Sequence, residues 1–287
     1  MSFSLLANSI ASGLLMGANY ALFAVGLSLV FGVLKIINLA HGELLLAGAY
    51  VGYFAIRGMG VPLPLALLFS GLSVGIVGYL YYFVVRRIRD DELNTLILTY
   101  GVGVILTNLF LLLFTADERI INIPWLTEGV WLGPVQVNRG NLVSGLVSLL
   151  IIGGLTFFLA RTETGKMIRA SSMDREAAAL VGVDVERIDR FAFVLGCALA
   201  GFAGPLFGIV SHINPVGGEA VTINAFILTV LAGLGSIPGL LLAGIILGLG
   251  EAIIVVFAST MFQGIFALAL FVAVLFLRPE GIFGRRE

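Results

Sequence analysis

Composition, glycine content and the length of the apolar runs mark this sequence as an all-α polytopic membrane protein. Hydrophobic residues make up 59% of the 287 and charged residues only 11%, with a mean hydropathy of +1.09, whereas soluble domains run near half apolar and about a quarter charged. Glycine numbers 37, nearly twice its usual share of roughly 7%, as suits helices whose backbones approach closely in lipid. Apolar runs long enough to cross about 30 Å of hydrocarbon recur along the chain. The same composition excludes a disulfide scaffold, because Cys197 is the only cysteine. It excludes a disordered chain by its hydrophobicity and a nucleic-acid binder by a net charge of −1.

Taken in order, segments near 10–34, 39–57, 62–85, 93–115, 141–160, 189–211, 222–235, 239–258 and 260–277 give eight or nine spans. The seventh is too short to cross as a straight helix, so it is either broken or continuous with its neighbour. Unbroken runs such as Gly239–Gly250 argue against the alternating strands of a membrane barrel. Three segments hold 12 of the 16 basic residues: Arg86, Arg87 and Arg89; then Arg161, Lys166, Arg169, Arg175, Arg187 and Arg190; and finally Arg278, Arg285 and Arg286. The positive-inside rule places these in the cytoplasm with the C-terminus, and 116–140 outside, with Trp125 and Trp131 as interfacial anchors. The N-terminus is then expected outside, and no Lys or Arg precedes Lys35. No polar stretch is long enough for a soluble core, so residues 1–287 read as a single membrane domain. Leu44–Gly48 recurs as Leu240–Gly244, a repeat that a Leu/Ala/Gly-rich chain produces by chance.

Three polar interruptions stand out. In Asn38-Leu39-Ala40-His41-Gly42-Glu43, a carboxylate at mid-helix costs about 2.5–3.5 kcal/mol on insertion scales, so Glu43 is expected to face protein or water. His41 and Glu43 either cap the second helix at the cytoplasmic interface or belong to a path through the membrane. With only His41 and His212 and no thiolate cluster, no metal site is expected. The run from Ala232 to Gly239, with Gly235, Ser236 and Pro238, is either a tight turn or a broken helix whose ends meet polar ligand groups. Glu251 is a lone intramembrane acid, either functional or hydrogen-bonded to a neighbouring helix.

The third interruption is the cytoplasmic loop at about 161–188. Ser171 and Asp174 are spaced as a capping box, Ala177–Val181 favours helix, and Gly182 stops it. A helix of about two turns is expected, with Ala177, Leu180 and Val181 on one face. That knob either docks into a partner's groove or folds back onto the protein's own membrane ends. If it docks, Ala178 is expected to be crowded by the partner, with Arg175 as a rim charge. The chain has no Gly-x-x-x-x-Gly-Lys-Ser/Thr phosphate loop, so hydrolysis of ATP is expected elsewhere.

At these residues the chain resembles a known family. Thr164-Gly165-Lys166-Met167-Ile168-Arg169-Ala170, followed by Asp174, Ala177-Ala178 and Leu180-Val181-Gly182-Val183, is similar to the cytoplasmic signature of ABC-importer permeases for branched-chain amino acids. The resemblance extends to Gly32-Val33-Leu34 through Ile37 to Glu43, to Ile213-Asn214-Pro215, Gly233 to Gly239, Glu251-Ala252 and Pro279 to Arg285. The match is to the smaller, LivH-type permease. The resemblance implies a bacterial inner-membrane subunit that imports branched-chain or other neutral amino acids. It implies a second related permease, two cytoplasmic ATPase subunits carrying ATP and magnesium, and a periplasmic or lipid-anchored substrate-binding protein. It implies no catalysis and no cofactor in this chain. The coupling element would run from Gly165 to Gly182, through Arg169, Asp174, Arg175, Glu176, Ala177, Ala178 and Leu180. Asn38, His41, Glu43, Asn214, Gly235, Ser236, Pro238 and Glu251 are candidates for the translocation path. A permease for urea or short amides is the near alternative. A stand-alone channel or secondary transporter would leave the cytoplasmic helix without a role.

Overall fold

The computed structural model describes residues 3–89, 91–133, 135–278 and 280–283. Pro279, Gly284, Arg285 and Arg286, which belong to the terminal motif and basic cluster, lie outside the described residues. The chain is helical nearly throughout: α1 (Phe3–Leu34), α2 (His41–Met59), α3 (Leu63–Val85), α4 (Glu92–Phe114), α5 (Arg139–Arg161), α6 (Glu163–Met173), α7 (Arg175–Leu180), α8 (Val185–Val210), α9 (Gly218–Ala232), α10 (Ile237–Phe257) and α11 (Gln263–Leu277). One antiparallel hairpin, β1 (Gly129–Leu132) with β2 (Val135–Asn138), precedes α5.

Seven of these helices are long and apolar enough to cross a membrane. The other two at predicted span positions fall short for different reasons. The 19-residue α2 carries His41, Glu43 and Arg57, and α9 has only 15 residues. The expectation of eight or nine spans therefore resolves into seven full-length helices and two that start or end inside the bundle.

Local chemistry sets the helix ends. The carboxylates of Asp91, Asp174 and Asp184 accept first-turn amide hydrogens of α4, α7 and α8, and the Asn138 side chain does the same for α5. Ser236 caps α10, followed by Pro238 in the first turn.

The core is built around α1. It runs antiparallel to α10, with Gly13 against Gly248 and Gly17 against Gly244, where even a Cβ would clash with the opposite backbone. α8 packs along α3, α2 and α1, while α4 and α11 stay at the periphery with most of their surface exposed. Ion pairs and backbone contacts define the two ends of the bundle. One end gathers the α3–α4 turn, α6, α7, the start of α8, the α9–α10 turn and residues 280–283. The other carries the hairpin, the start of α1, and the pairing of Arg119 with Ile213.

Candidate functional site

Residues 35–40 do not join α1 to α2 at the basic end. They fold back along α1, so that the Nε2–H of His41 donates to the Phe23 carbonyl at 2.7 Å, about three turns short of the end of α1. Asn38 locks this re-entrant segment, its side-chain oxygen accepting from the Ala40 amide at 3.1 Å and the Tyr81 hydroxyl at 3.3 Å. Thr99 of α4 donates to the Ile37 carbonyl at 3.3 Å. α2 therefore begins in the interior of the bundle.

The chain re-enters a second time from the opposite end. After α8, residues 211–217 descend past Ile213, turn on the Asn214 side chain, which accepts from Val216 at 3.1 Å, and start α9 beside the start of α2. The two helix starts touch through glycine: a Cβ on Gly42 would fall 1.9 Å from the Gly218 carbonyl oxygen. The Gly42 amide donates to the Thr222 hydroxyl at 2.8 Å, which in turn donates to the Gly218 carbonyl at 3.1 Å.

Glu43 lies at this junction. Its depth is fixed by Gly103, the central residue of α4, where a Cβ would lie 3.5 Å from Glu43 Oε2. Glu43 is thus halfway through the bundle, only 4% exposed, and its Oε2 has no hydrogen-bond partner among the described residues. Beside it opens a cavity of about 390 Å³ lined by Leu39, Glu43, Tyr100, Gly103, Val104, Thr107, Asn108, Val216, Glu219, Thr222 and Ile223. That size falls within the roughly 300–1,000 Å³ of small-molecule sites. Its walls are apolar with two carboxylates and a few hydroxyl and amide groups, and its outer side is the exposed surface of α4 and α9.

The other candidates fall elsewhere. Gly235, Ser236 and Pro238 form a tight turn at the basic end, with Gly235 at φ +85° and its Cα against Gly32. The broken-helix alternative at that position is thereby replaced by the two re-entrant segments at 35–40 and 211–217. Glu251 takes the Tyr20 hydroxyl at 2.8 Å, a contact between α10 and α1 outside the cavity. Among the described residues no group of His, Cys, Asp or Glu is placed to hold a metal ion.

The loop at 161–188 folds as two helices rather than one. Ser171 is buried inside α6 and does not cap; Asp174 alone caps α7, accepting from Ala177 at 2.9 Å. Gly182, at φ +89°, ends it. Gly165 presses α6 onto the end of α5, Arg169 reaches the Ala160 carbonyl at 3.4 Å, and Glu176 and Ala177 are exposed. Leu180 and Val181 are 88% and 79% exposed, whereas Ala178 is 3% exposed and faces the protein's own interior. Arg175 is paired within the chain: both its terminal nitrogens bond the fully buried Asp189, which also takes Arg89 at 2.7 Å. Asp189 thus ties α7 to α8 and to the α3–α4 turn. Asp189, Glu219, Thr222 and the α4 side of the cavity are not among the residues that sequence pattern singles out.

Comparisons with known proteins agree with this architecture. The family model for the permease component of branched-chain amino acid transport systems matches residues 9–275. The chain is 32% identical to the high-affinity branched-chain amino acid transport permease LivH of Escherichia coli K12, over 96% of this chain and 94% of that one. It is 32% identical to BraD of Pseudomonas aeruginosa over 97% and 95%. Among solved structures, PsaBC from Streptococcus pneumoniae in complex with Fab shares the fold at a TM-score of 0.50 and 14% identity, over 97% of this chain and 94% of that one.

Proposed function

This chain belongs to the family of branched-chain amino acid transport permeases, and we propose that it carries leucine, isoleucine, valine or related neutral amino acids across the inner membrane as one of two permease subunits of an importer. The observation that carries this reading is the mid-bundle cavity at Glu43. Two helix starts, α2 and α9, converge there from re-entrant segments, the device by which transporters place polar backbone at a site inside the membrane. Irregular backbone at that depth is tolerated only where protein or a wet cavity satisfies it. The cavity opens on the exposed face of α4 and α9, which a second, related permease would complete.

In this reading the basic end faces the cytoplasm and the hairpin end faces outside. The exposed Leu180 and Val181 at the tip of α7 form the apolar knob that an ATPase subunit receives, while the Asp189 ion pairs transmit its movement to α8, α3 and α4. A helix as short as α7 has no independent stability, so its orientation depends on that bracing. The substrate-binding protein docks at the hairpin end.

The test is co-purification of the ATPase subunits with the assembled permease carrying Leu180→Asp. Burying a leucine contributes about 1.5–3 kcal/mol, and an acid in its place adds a desolvation cost. Retention of the ATPase subunits is expected to fall at least about tenfold while membrane abundance stays unchanged. Undiminished association and hydrolysis would remove α7 as the docking element.

A further inference from the structure

We infer that the Glu43 carboxylate, seconded by Glu219, is the receptor for the ammonium group of the transported amino acid at mid-membrane, an assignment that rests on the translocation reading above. Three acids are buried in the helices among the described residues, Glu43, Asp189 and Glu251, and their surroundings differ: Asp189 is paired with Arg89 and Arg175. Glu251 has a protein donor, the Tyr20 hydroxyl. Glu43 has a buried oxygen with no partner among the described residues, on a side chain held against a cavity. A buried carboxyl without a partner is costly to ionise, and a cation that enters beside it relieves that cost.

The surroundings define the chemistry of that entrant. The described lining carries two carboxylates, Glu43 and Glu219, and no Lys, Arg or His. Glycine walls the buried carboxylate on two sides: a Cβ at Gly218 would come within 2.7 Å of Oε1, and one at Gly103 within 3.5 Å of Oε2. The carboxylate is therefore fixed against backbone in the cavity wall, its Oε2 buried and unpaired, so that only a compact cation entering the cavity could pair with it. A primary ammonium, a small point charge with three donors, fits that geometry. Leu39, Val104, Val216 and Ile223 supply the apolar wall that an aliphatic side chain would contact. Thr222, next to Glu43, is occupied by Gly42 and Gly218, which leaves the acids as the recognition groups for the cation.

The test reads charge selectivity without depending on transport. In the full assembly with Cys197→Ala, Thr107→Cys places a thiol in the cavity one turn from Gly103. Its modification is timed with two small methanethiosulfonates, one bearing an ammonium and one a sulfonate, each normalised to a free thiol. The cationic reagent is expected to be favoured by at least about tenfold, the low end of the roughly 10–10³ by which a lined cleft concentrates counter-ions. Leucine delivered by its binding protein should slow the reaction. Glu43→Gln should collapse the preference, and Glu219→Gln, at an exposed position that does not threaten folding, should lower it partway. A preference unchanged by both variants, or none in the parent because a partner's cation already neutralises Glu43, overturns the ammonium assignment while leaving the path intact. Failure of either reagent to react at all, from either side, would instead overturn the translocation reading on which it rests.

Discussion

Asp189→Asn tests whether α7 is braced against α8 and the α3–α4 turn as the ion pairs indicate. The carboxylate is fully buried and receives three hydrogen bonds, two from Arg175 and one from Arg89. Breaking a buried pair costs about 3–5 kcal/mol when the orphaned charge stays buried. Here the Arg89 and Arg175 side chains are 26% and 40% exposed and rehydrate in part, so a loss of about 2–3 kcal/mol follows. At about 2–4 °C per kcal/mol for a chain of this order, the unfolding midpoint should fall by roughly 5–10 °C. The single buried thiol, Cys197, supplies the reporter: a thiol-reactive fluorophore labels it only as the bundle opens. Arg175→Gln alone should cost less, and the double variant should fall short of the sum by at least about 1 kcal/mol, because the groups act as one network. A midpoint unmoved by Asp189→Asn, or strict additivity with Arg175→Gln, would refute the bracing.

Two further outcomes are expected. In a Cys197→Ala background, cysteine at Glu128 should react with an impermeant thiol reagent from outside and cysteine at Glu163 only from the cytoplasm; reversed labelling would invert the orientation. Gly235→Leu should lower the amount of folded protein in the membrane by at least about threefold, since leucine is strained at φ +85° and Gly32 Cα lies 3.0 Å from its Cβ position. Normal abundance in a membrane-fraction blot would show that the α9–α10 turn yields easily.

What the sequence discloses depends on the range of the interaction. Asp174 and Gly182 bracket α7 through chemistry within a few residues of themselves, and both were legible in the order of side chains. Ser171 has a spacing that fits both a cap and the interior of α6, and only packing against α5 decides between them. The depth of Glu43 was not legible: it follows from the fold-back of residues 35–40 against Phe23 and from Gly103 of a helix far along the chain. Glu219 escaped notice because α9 begins at Gly218 without a side-chain cap, so the helix start carries no local mark. Asp189 pairs with residues 14 and 100 positions away. The hint available was an acid at the start of a span flanked by basic loops.

If this chain is half of a conduit driven from outside itself, uptake into proteoliposomes depends on its partners. Vesicles holding both permeases and the ATPase subunits, with loaded binding protein on one face and ATP on the other, are compared with vesicles lacking only the ATPase subunits. Inward leucine movement is expected to require ATP, the binding protein and the ATPase subunits together. Leucine uptake of equal rate without the ATPase subunits, driven by an ion gradient alone, would contradict it.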